Sequence, residues 1–388
     1  MSICRASTTT LSLVALIIFS TAVIAEPLGL PPVPIPADNP QSAAKIKLGD
    51  RLFNDERFSA DGKVSCATCH DPAKAFTDNL KVSQGFNKLT GTRNAPTVIN
   101  AAYLKTQFWD GREPDLESQS KQPPVNPVEG GLPNHEPILA VIRGDGEYVK
   151  AFNDVFGVNA EAITMEHVSK AIASFERTII AGDSPFDRYH YGGDAKAMSA
   201  AAIRGFAVFT GQGRCVSCHL IEQTQALFTD SRFHNIGVGF KRIRGKESEI
   251  AAKFLVEKQA GAEVDVTVLA DKDASELGRF AVSENVTDVG TFKTSTLRNI
   301  DLTAPYMHDG SLKTLKEVVS FYNNGGRINK NDPLSGFLSG GIRPLNLTDQ
   351  QQADLVAFLK ALTSPKIPSA STSNSAGLAG NSGGTRNE

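Results

Sequence analysis

The 388-residue chain carries 40 Lys and Arg against 42 Asp and Glu, a formal charge of −2. A balance this close to neutral offers no basic field for nucleic acid or an anionic membrane surface. The length exceeds what one small core organises and predicts two domains.

Arg5, the mostly apolar run from Leu11 to Ile24 and the small-residue site after Ala25 predict a secretory signal over residues 1–25, too short and wrongly flanked to span a membrane. No later run reaches the roughly 18 apolar residues of a membrane helix. Cleavage removes Arg5 and Cys4, moves the charge to −3 and leaves a mature chain expected in a bacterial periplasm, with no membrane span. The first domain is expected over residues 26–182. It opens with a short helix at "AAKIKLGDRLF" and reaches "CATCH", Cys66 to His70. A long irregular stretch follows, then two helices; in the second, Val168, Ile172, Phe175 and Ile179 recur at helical spacing. "GDSPFDRYHYGGD", residues 182–194, reads as a linker because turn residues dominate it.

The second domain, residues 195–364, repeats the plan with a helix at "SAAAIRGFAVF" and then "CVSCH", Cys215 to His219. Residues 241–273 are charge-rich and without pattern, which predicts a surface insertion. In "TLKEVVSFYNNGG", Thr314 and Glu317 have capping-box spacing, Leu315, Val318, Val319 and Tyr322 form one stripe, and Gly325-Gly326 stops the helix. A last helix starts at Thr348, capped with Gln351, and buries Leu355, Phe358, Leu359 and Leu362. Beyond Pro365 the Ser/Gly/Asn-rich tail is expected to be disordered. No internal repeat shows beyond the two cysteine motifs.

An even count of four cysteines in an exported chain ordinarily means disulfides. The spacing here says otherwise. Cys-x-x-Cys-His is the c-type haem attachment pattern: two thiols meet two vinyl groups and the adjacent histidine reaches iron. Zinc-binding pairs normally lie about 15–20 residues apart, whereas these lie 149 apart, Cys66 to Cys215, and each has its own histidine. The expected fold is therefore mostly α, two cytochrome c-like domains each enclosing one covalently bound haem c. Cys66, Cys69 and His70 hold the first, and Cys215, Cys218 and His219 the second.

Sixth ligands decide what such haems do. Between His70 and His135 there is neither histidine nor methionine, so the first iron is expected to be open unless His135 folds back. The same region supplies Trp109, the only tryptophan, then Gln119 and Glu129. A carboxylate over an open haem suits the proton transfer of peroxide cleavage. For the second iron, Met307, His308, His234 and Tyr322 are all candidates.

The stretches "KLGDRLFNDERFSADGKVSCATCHDP", "RNAPTVINAAY", "QFWDGREPDLESQ" and "FKTSTLRNIDLTAPYMHDGSLKTLKEVVSFYNNGG", with the closing helix, resemble the bacterial di-haem cytochrome c peroxidases, most closely their MauG-like branch. The match runs over roughly residues 42–363. The resemblance implies Trp109 as an electron relay between the haems, with Gln119 and Glu129 on the distal side of the first. It also implies a calcium ion held by the Asn94 side chain and the backbone carbonyls of Thr303 and Pro305, oxygen donors that suit a hard cation. Where ordinary members carry a distal histidine about sixteen residues after the first haem histidine, this chain has Phe86. The helix that gives those members a methionine gives the MauG-like branch a tyrosine, which selects Tyr322, leaving Met307 to packing and His308 to a structural hydrogen bond.

The implied activity is reaction with hydrogen peroxide to a high-valent di-haem state that oxidises residues, tryptophans above all, of a partner protein. One alternative is a cytochrome c peroxidase fed by a small cytochrome or cupredoxin; another, of a different class, is a di-haem electron carrier. The MauG-like quinone-forming reaction uses a surface tryptophan before the second haem motif, where this chain has "GQGR". Tyr189, Tyr191 and Tyr306 are the remaining exit candidates. "SELGR" and "FKTSTLRN" vary the usual "DPGR" and "FKTPTLRN", and the insertion at 241–273 is long, so the local fold beside the second haem is where departures are expected.

Overall fold

The computed structural model describes residues 27–326, 336 and 338–368. The predicted leader and the tail from 369 lie outside the described residues. In chain order the longer helices are α1 (Ala43–Phe53), α2 (Glu136–Gly144), α3 (Gly146–Phe156), α4 (Met165–Glu176), α5 (Pro185–His190), α6 (Ala200–Thr210), α7 (Glu247–Gln259), α8 (Val264–Ala270), α9 (Leu315–Asn323) and α10 (Asp349–Lys360). The described residues form one sheet, an antiparallel pair of two-residue strands, β1 (Phe233–His234) and β2 (Phe292–Lys293). The protein is mostly helical.

Two cores organise the chain. The first packs Leu48, Leu52 and Phe53 of α1 against Val168 and Ile172 of α4, with Tyr148 and Phe152 of α3. The second packs Phe209 of α6 against Leu355 and Phe358 of α10, with Phe186 and Phe228. Each is built on a close helix crossing at a glycine. A Cβ on Gly49 would stand 1.9 Å from the carbonyl oxygen of Ala171, and one on Gly205 would stand 1.9 Å from that of Asp354, so any side chain would force the helices apart.

The correspondence goes further, and it corrects the expectation of no repeat. In both halves a left-handed asparagine, Asn100 (φ 64) or Asn299 (φ 61), ties the segment after the haem motif to the segment after the closing helix. Asn100 Oδ1 accepts from Ala181 N at 2.9 Å, and Asn299 Oδ1 accepts from Ser364 N at 2.8 Å. The preceding threonines also match: Thr97 donates to Ala75 O at 2.6 Å and Thr296 to Leu227 O at 2.8 Å. The sequence hides this, because Thr97 follows Cys66 by 31 residues whereas Thr296 follows Cys215 by 81.

Three segments differ from expectation. Residues 182–194 are more than a connector: Ser184 caps α5, Phe186 is fully buried in the second core, and Asp187 pairs with Arg298 at 2.8 Å, both buried. Residues 241–273 are not patternless surface. They fold as helices around a third core of Phe240, Ile243, Phe254, Val268, Leu269 and Phe280. The start of the predicted disordered tail is partly ordered, since Ile367 packs on the first core. Among the described residues no helix is long and apolar enough to cross a membrane.

Candidate functional site

Each half leaves a cavity behind its cysteine motif. The smaller, about 170 Å³, is lined by Cys66, Cys69 and His70 and by Gln119, Pro123, Val128 and Glu129. The larger, about 550 Å³, is lined by Cys215, Cys218, His219, Met307 and Tyr322. In both, the motif histidine is turned by the same device. His70 Nδ1 lies 3.3 Å from Phe76 O, and His219 Nδ1 lies 2.9 Å from Phe228 O. A carbonyl oxygen only accepts, so Nδ1 carries the proton and Nε2 presents its lone pair. Burial lowers the pKa of both imidazoles, which keeps them neutral and able to bind a metal. Burial pushes the thiols of Cys66, Cys69 and Cys215 up to about 12.

Trp109 lines both cavities, and its Nε1 donates to Asn94 O at 2.8 Å. It stands on the wall the two spaces share. Asn94 lines both as well, while Thr303 and Pro305 line the larger. The Asn94 side-chain nitrogen donates to Leu80 O at 2.8 Å, which leaves its Oδ1 without a hydrogen bond among the described residues.

Over the smaller cavity, Glu129 Oε2 is buried and has no hydrogen-bond partner. Burial, then the Asp265 carboxylate, pushes its pKa up to about 8 against the pull of Arg112. Phe86, where a histidine would otherwise stand, is bound to this loop, its N–H donating to Glu129 O at 2.6 Å. Gly85 allows the approach, since a Cβ there would lie 2.4 Å from Val128 O.

In the larger cavity, Leu315, Val318, Val319 and Tyr322 all line the wall from one face of α9. The Tyr322 hydroxyl has no hydrogen-bond partner among the described residues, and burial, with the Cys215 and Cys218 thiols behind it, raises its pKa.

The family profile described as di-haem cytochrome c peroxidase matches residues 43–196. Cytochrome-c peroxidase IdrP1 of Denitromonas iodatirespirans is 38% identical over 359 residues, covering 88% of this chain and 90% of that protein. Methylamine utilization protein MauG of Methylorubrum extorquens is 34% identical over 345 residues, 87% of this chain and 85% of that one. The chain belongs to the di-haem cytochrome c peroxidase family. A crystal structure of a MauG-like protein associated with microbial copper homeostasis superposes with a TM-score of 0.71 at 34% identity, covering 87% of this chain and 94% of that one.

The protein is thus a haem-dependent oxidoreductase acting on hydrogen peroxide, and its cavities fit the two haems the family implies. Paired thiols, a histidine whose Nε2 is unbonded among the described residues and a largely apolar wall meet in each. The remaining candidate histidines of the peroxidase make other contacts. His135 Nε2 lies 2.7 Å from Lys121 O and does not line the first cavity. His308 bonds Glu276 at 2.9 Å and stacks on Phe292 with ring centres 3.7 Å apart. His234 bonds Asp230 at 2.7 Å, and with Cys218 they form the one three-ligand group of His, Cys, Asp and Glu among the described residues, whose sulfur the haem motif already claims. Two thioethers do face the cavities: Met307 in the larger, and Met165, beside Val168 and Ile172 of α4, in the smaller.

Sequence reasoning missed a line of buried charges behind the first cavity. Arg93 pairs with Asp110 at 3.0 Å, Asp110 with Arg112 at 3.1 Å, and Arg112 with Asp265 at 2.6 Å. Lys293 was also passed over; it lines the larger cavity, donates to Thr106 O at 2.5 Å, and burial lowers its pKa to about 7. "WDGR" and "FKT" carried the signal for Arg112 and Lys293, but nothing local marks Asp265.

Proposed function

We propose that this peroxidase is of the MauG-like kind, drawing electrons from residues, chiefly tryptophans, of a docked partner protein. The observation that carries the reading is the Tyr322 hydroxyl, without a hydrogen-bond partner among the described residues, on the wall of the cavity that holds His219. An anionic oxygen donor favours ferric over ferrous iron, so a haem bound there is poorly suited to collecting electrons from a small cytochrome. When bound through Cys66/Cys69 and Cys215/Cys218, the two haems supply peroxide activation and hold the oxidising equivalents. The chain's residues do the rest. Glu129 moves a proton between the two oxygens of peroxide in the first cavity, and Gln119 on the same wall orients the substrate. Pro123, Pro124 and Val128 limit water there. Trp109 couples the two cavities from their common wall. The leader read over residues 1–25 supports export to the periplasm.

Steady-state turnover tests this reading. With peroxide and a reduced small cytochrome or cupredoxin, the protein is expected to turn over slowly, while peroxide alone produces a long-lived oxidised form that a tryptophan-bearing partner discharges. Rapid cytochrome oxidation would instead establish the ordinary peroxidase that other family members are named as. A protein unmoved by peroxide would be a carrier.

Asn94, Thr303 and Pro305 are proposed to hold one calcium ion beside Trp109. Metal analysis is expected to find about one calcium per chain, lost in Asn94→Ala together with the spectroscopic coupling of the haems. A calcium-free chain with intact coupling would refute the site.

A further inference from the structure

We infer that Asp265, carried by the helical insert of the second half, is a positioning residue for Glu129 over the first cavity. This rests on the role given to Glu129 above.

The insert is fastened to the first half by buried polar contacts. Thr92 Oγ1 donates to Val268 O at 2.7 Å, Arg93 Nε donates to Ser275 Oγ at 3.0 Å, and Leu269 reaches the cavity wall. Val128, next to Glu129, packs on the insert's own core. Asp265 sits at the centre of this seam, on α8. Its Oδ1 accepts from Arg112 Nε at 2.7 Å and Nη2 at 2.6 Å. Its Oδ2 accepts from Asn126 Nδ2 at 2.5 Å.

Asn126 is the hub of the Glu129 loop. It is 1% exposed. Its backbone oxygen accepts from Glu129 N at 3.1 Å and Gly131 N at 2.9 Å, and its Oδ1 accepts from Val128 N at 3.0 Å. Each side-chain atom of Asn126 is thus committed, one to the loop and one to Asp265. Position and charge act together. The charged groups acting on Glu129 are Asp265 from the insert and Arg112 from the "WDGR" turn, with Glu176 of α4 lining the same cavity. Asp265 holds Arg112 to itself and opposes ionisation of Glu129, whereas Arg112 favours it.

The test is Asp265→Asn in the haem-loaded protein. Only the carboxylate of Glu129 accepts a proton from peroxide, so in the natural chain the peroxide reaction is expected to speed up as pH climbs through that group's midpoint. In D265N the like charge is gone, and the rise is expected about one pH unit lower. The infrared carbonyl band of the buried acid, identified by its loss in E129Q, should titrate with the same downward shift. D265E is expected to restore the natural midpoint. Asn126→Ala covers the case in which D265N does not fold. It leaves the Arg112–Asp265 pair intact, frees the loop, and is expected to slow the peroxide reaction about tenfold or more.

A D265N profile superimposable on the natural one, with E129Q still slow, would overturn the inference and leave the role of Glu129 standing. Unchanged rates in N126A would overturn it too. If E129Q itself matches the natural chain, both fall together.

Discussion

Tyr322→Met is expected to raise the potential of the second haem by several hundred millivolts, within the span of about 0.8 V that axial ligands command, and to create rapid turnover with a reduced small cytochrome. The argument begins with packing. α9 presents Leu315, Val318, Val319 and Tyr322 to the larger cavity, and only the last carries a donor atom. The hydroxyl has no hydrogen-bond partner among the described residues, so its removal in Tyr322→Phe orphans none of their polar groups, and the fold is expected to lose about 1 kcal/mol or less. The haem spectrum is the sensitive reporter. On the proposed reading Y322F would take away a hard oxygen donor and is expected to shift the second haem's absorption and spin state; Y322M would replace it with a soft thioether that favours the ferrous state. Met307 faces the same cavity from a backbone with φ 74, next to the His308 carbonyl that accepts from Asn94 N at 2.8 Å. Met307→Leu is therefore expected to leave the potential in place. Spectroelectrochemical titration of the three variants decides the matter: a potential that moves with M307L and not with Y322F would take Tyr322 off the iron and return the protein to ordinary electron collection.

What could be read from one sequence follows the reach of each interaction. The haem motifs are legible because the chemistry sits in five consecutive residues. α9 and α10 are legible because their caps and stripes obey local rules, and both capping boxes are present in the structure. The insert was illegible for a physical reason. α7 buries only Phe254 among its 13 residues and offers no stripe, and the core it joins is assembled from Phe240 to Val289. α5 was taken for a linker because Ser184, Pro185 and Gly192-Gly193 bracket a helix of 6 residues whose meaning lies in one buried ring and one ion pair. The repeat was masked by the insert's length. Trp109, Gln119 and Glu129 stand out in the sequence after the first haem motif, the resemblance gives them their places, and all three do line the smaller cavity. The buried Arg112–Asp265 contact behind that cavity spans 153 residues and has no local mark at its far end.

Glu129→Gln is expected to slow the reaction with peroxide by about 10²–10⁴, the range for losing a positioned proton carrier, while the resting haem spectra stay as they are. Glutamine keeps the shape but neither accepts nor returns a proton. The same substitution has a stability signature of calculable sign. Burial and Asp265 raise Glu129 from its ordinary 4.5 to about 8 in the folded chain. A group so raised favours the folded state below about 4.5, and that contribution is lost as pH climbs towards 8. The natural protein is therefore expected to lose thermal stability between pH 5 and pH 8, and E129Q to lose less. The difference is on the order of a few kcal/mol at most, since relaxation and water entry soften burial costs. It does not vanish in E129Q, because Glu176, buried on the wall of the same cavity with an unpartnered Oε2, is also raised to about 8 and keeps its own share of the slope. Rapid mixing with peroxide and melting curves across that pH range separate the two roles. A normal rate with a flattened stability slope would make Glu129 a buried acid and nothing more. A slow rate with the slope unchanged would mean that the carboxyl works on peroxide while already ionised, with Arg112 rather than burial setting its charge.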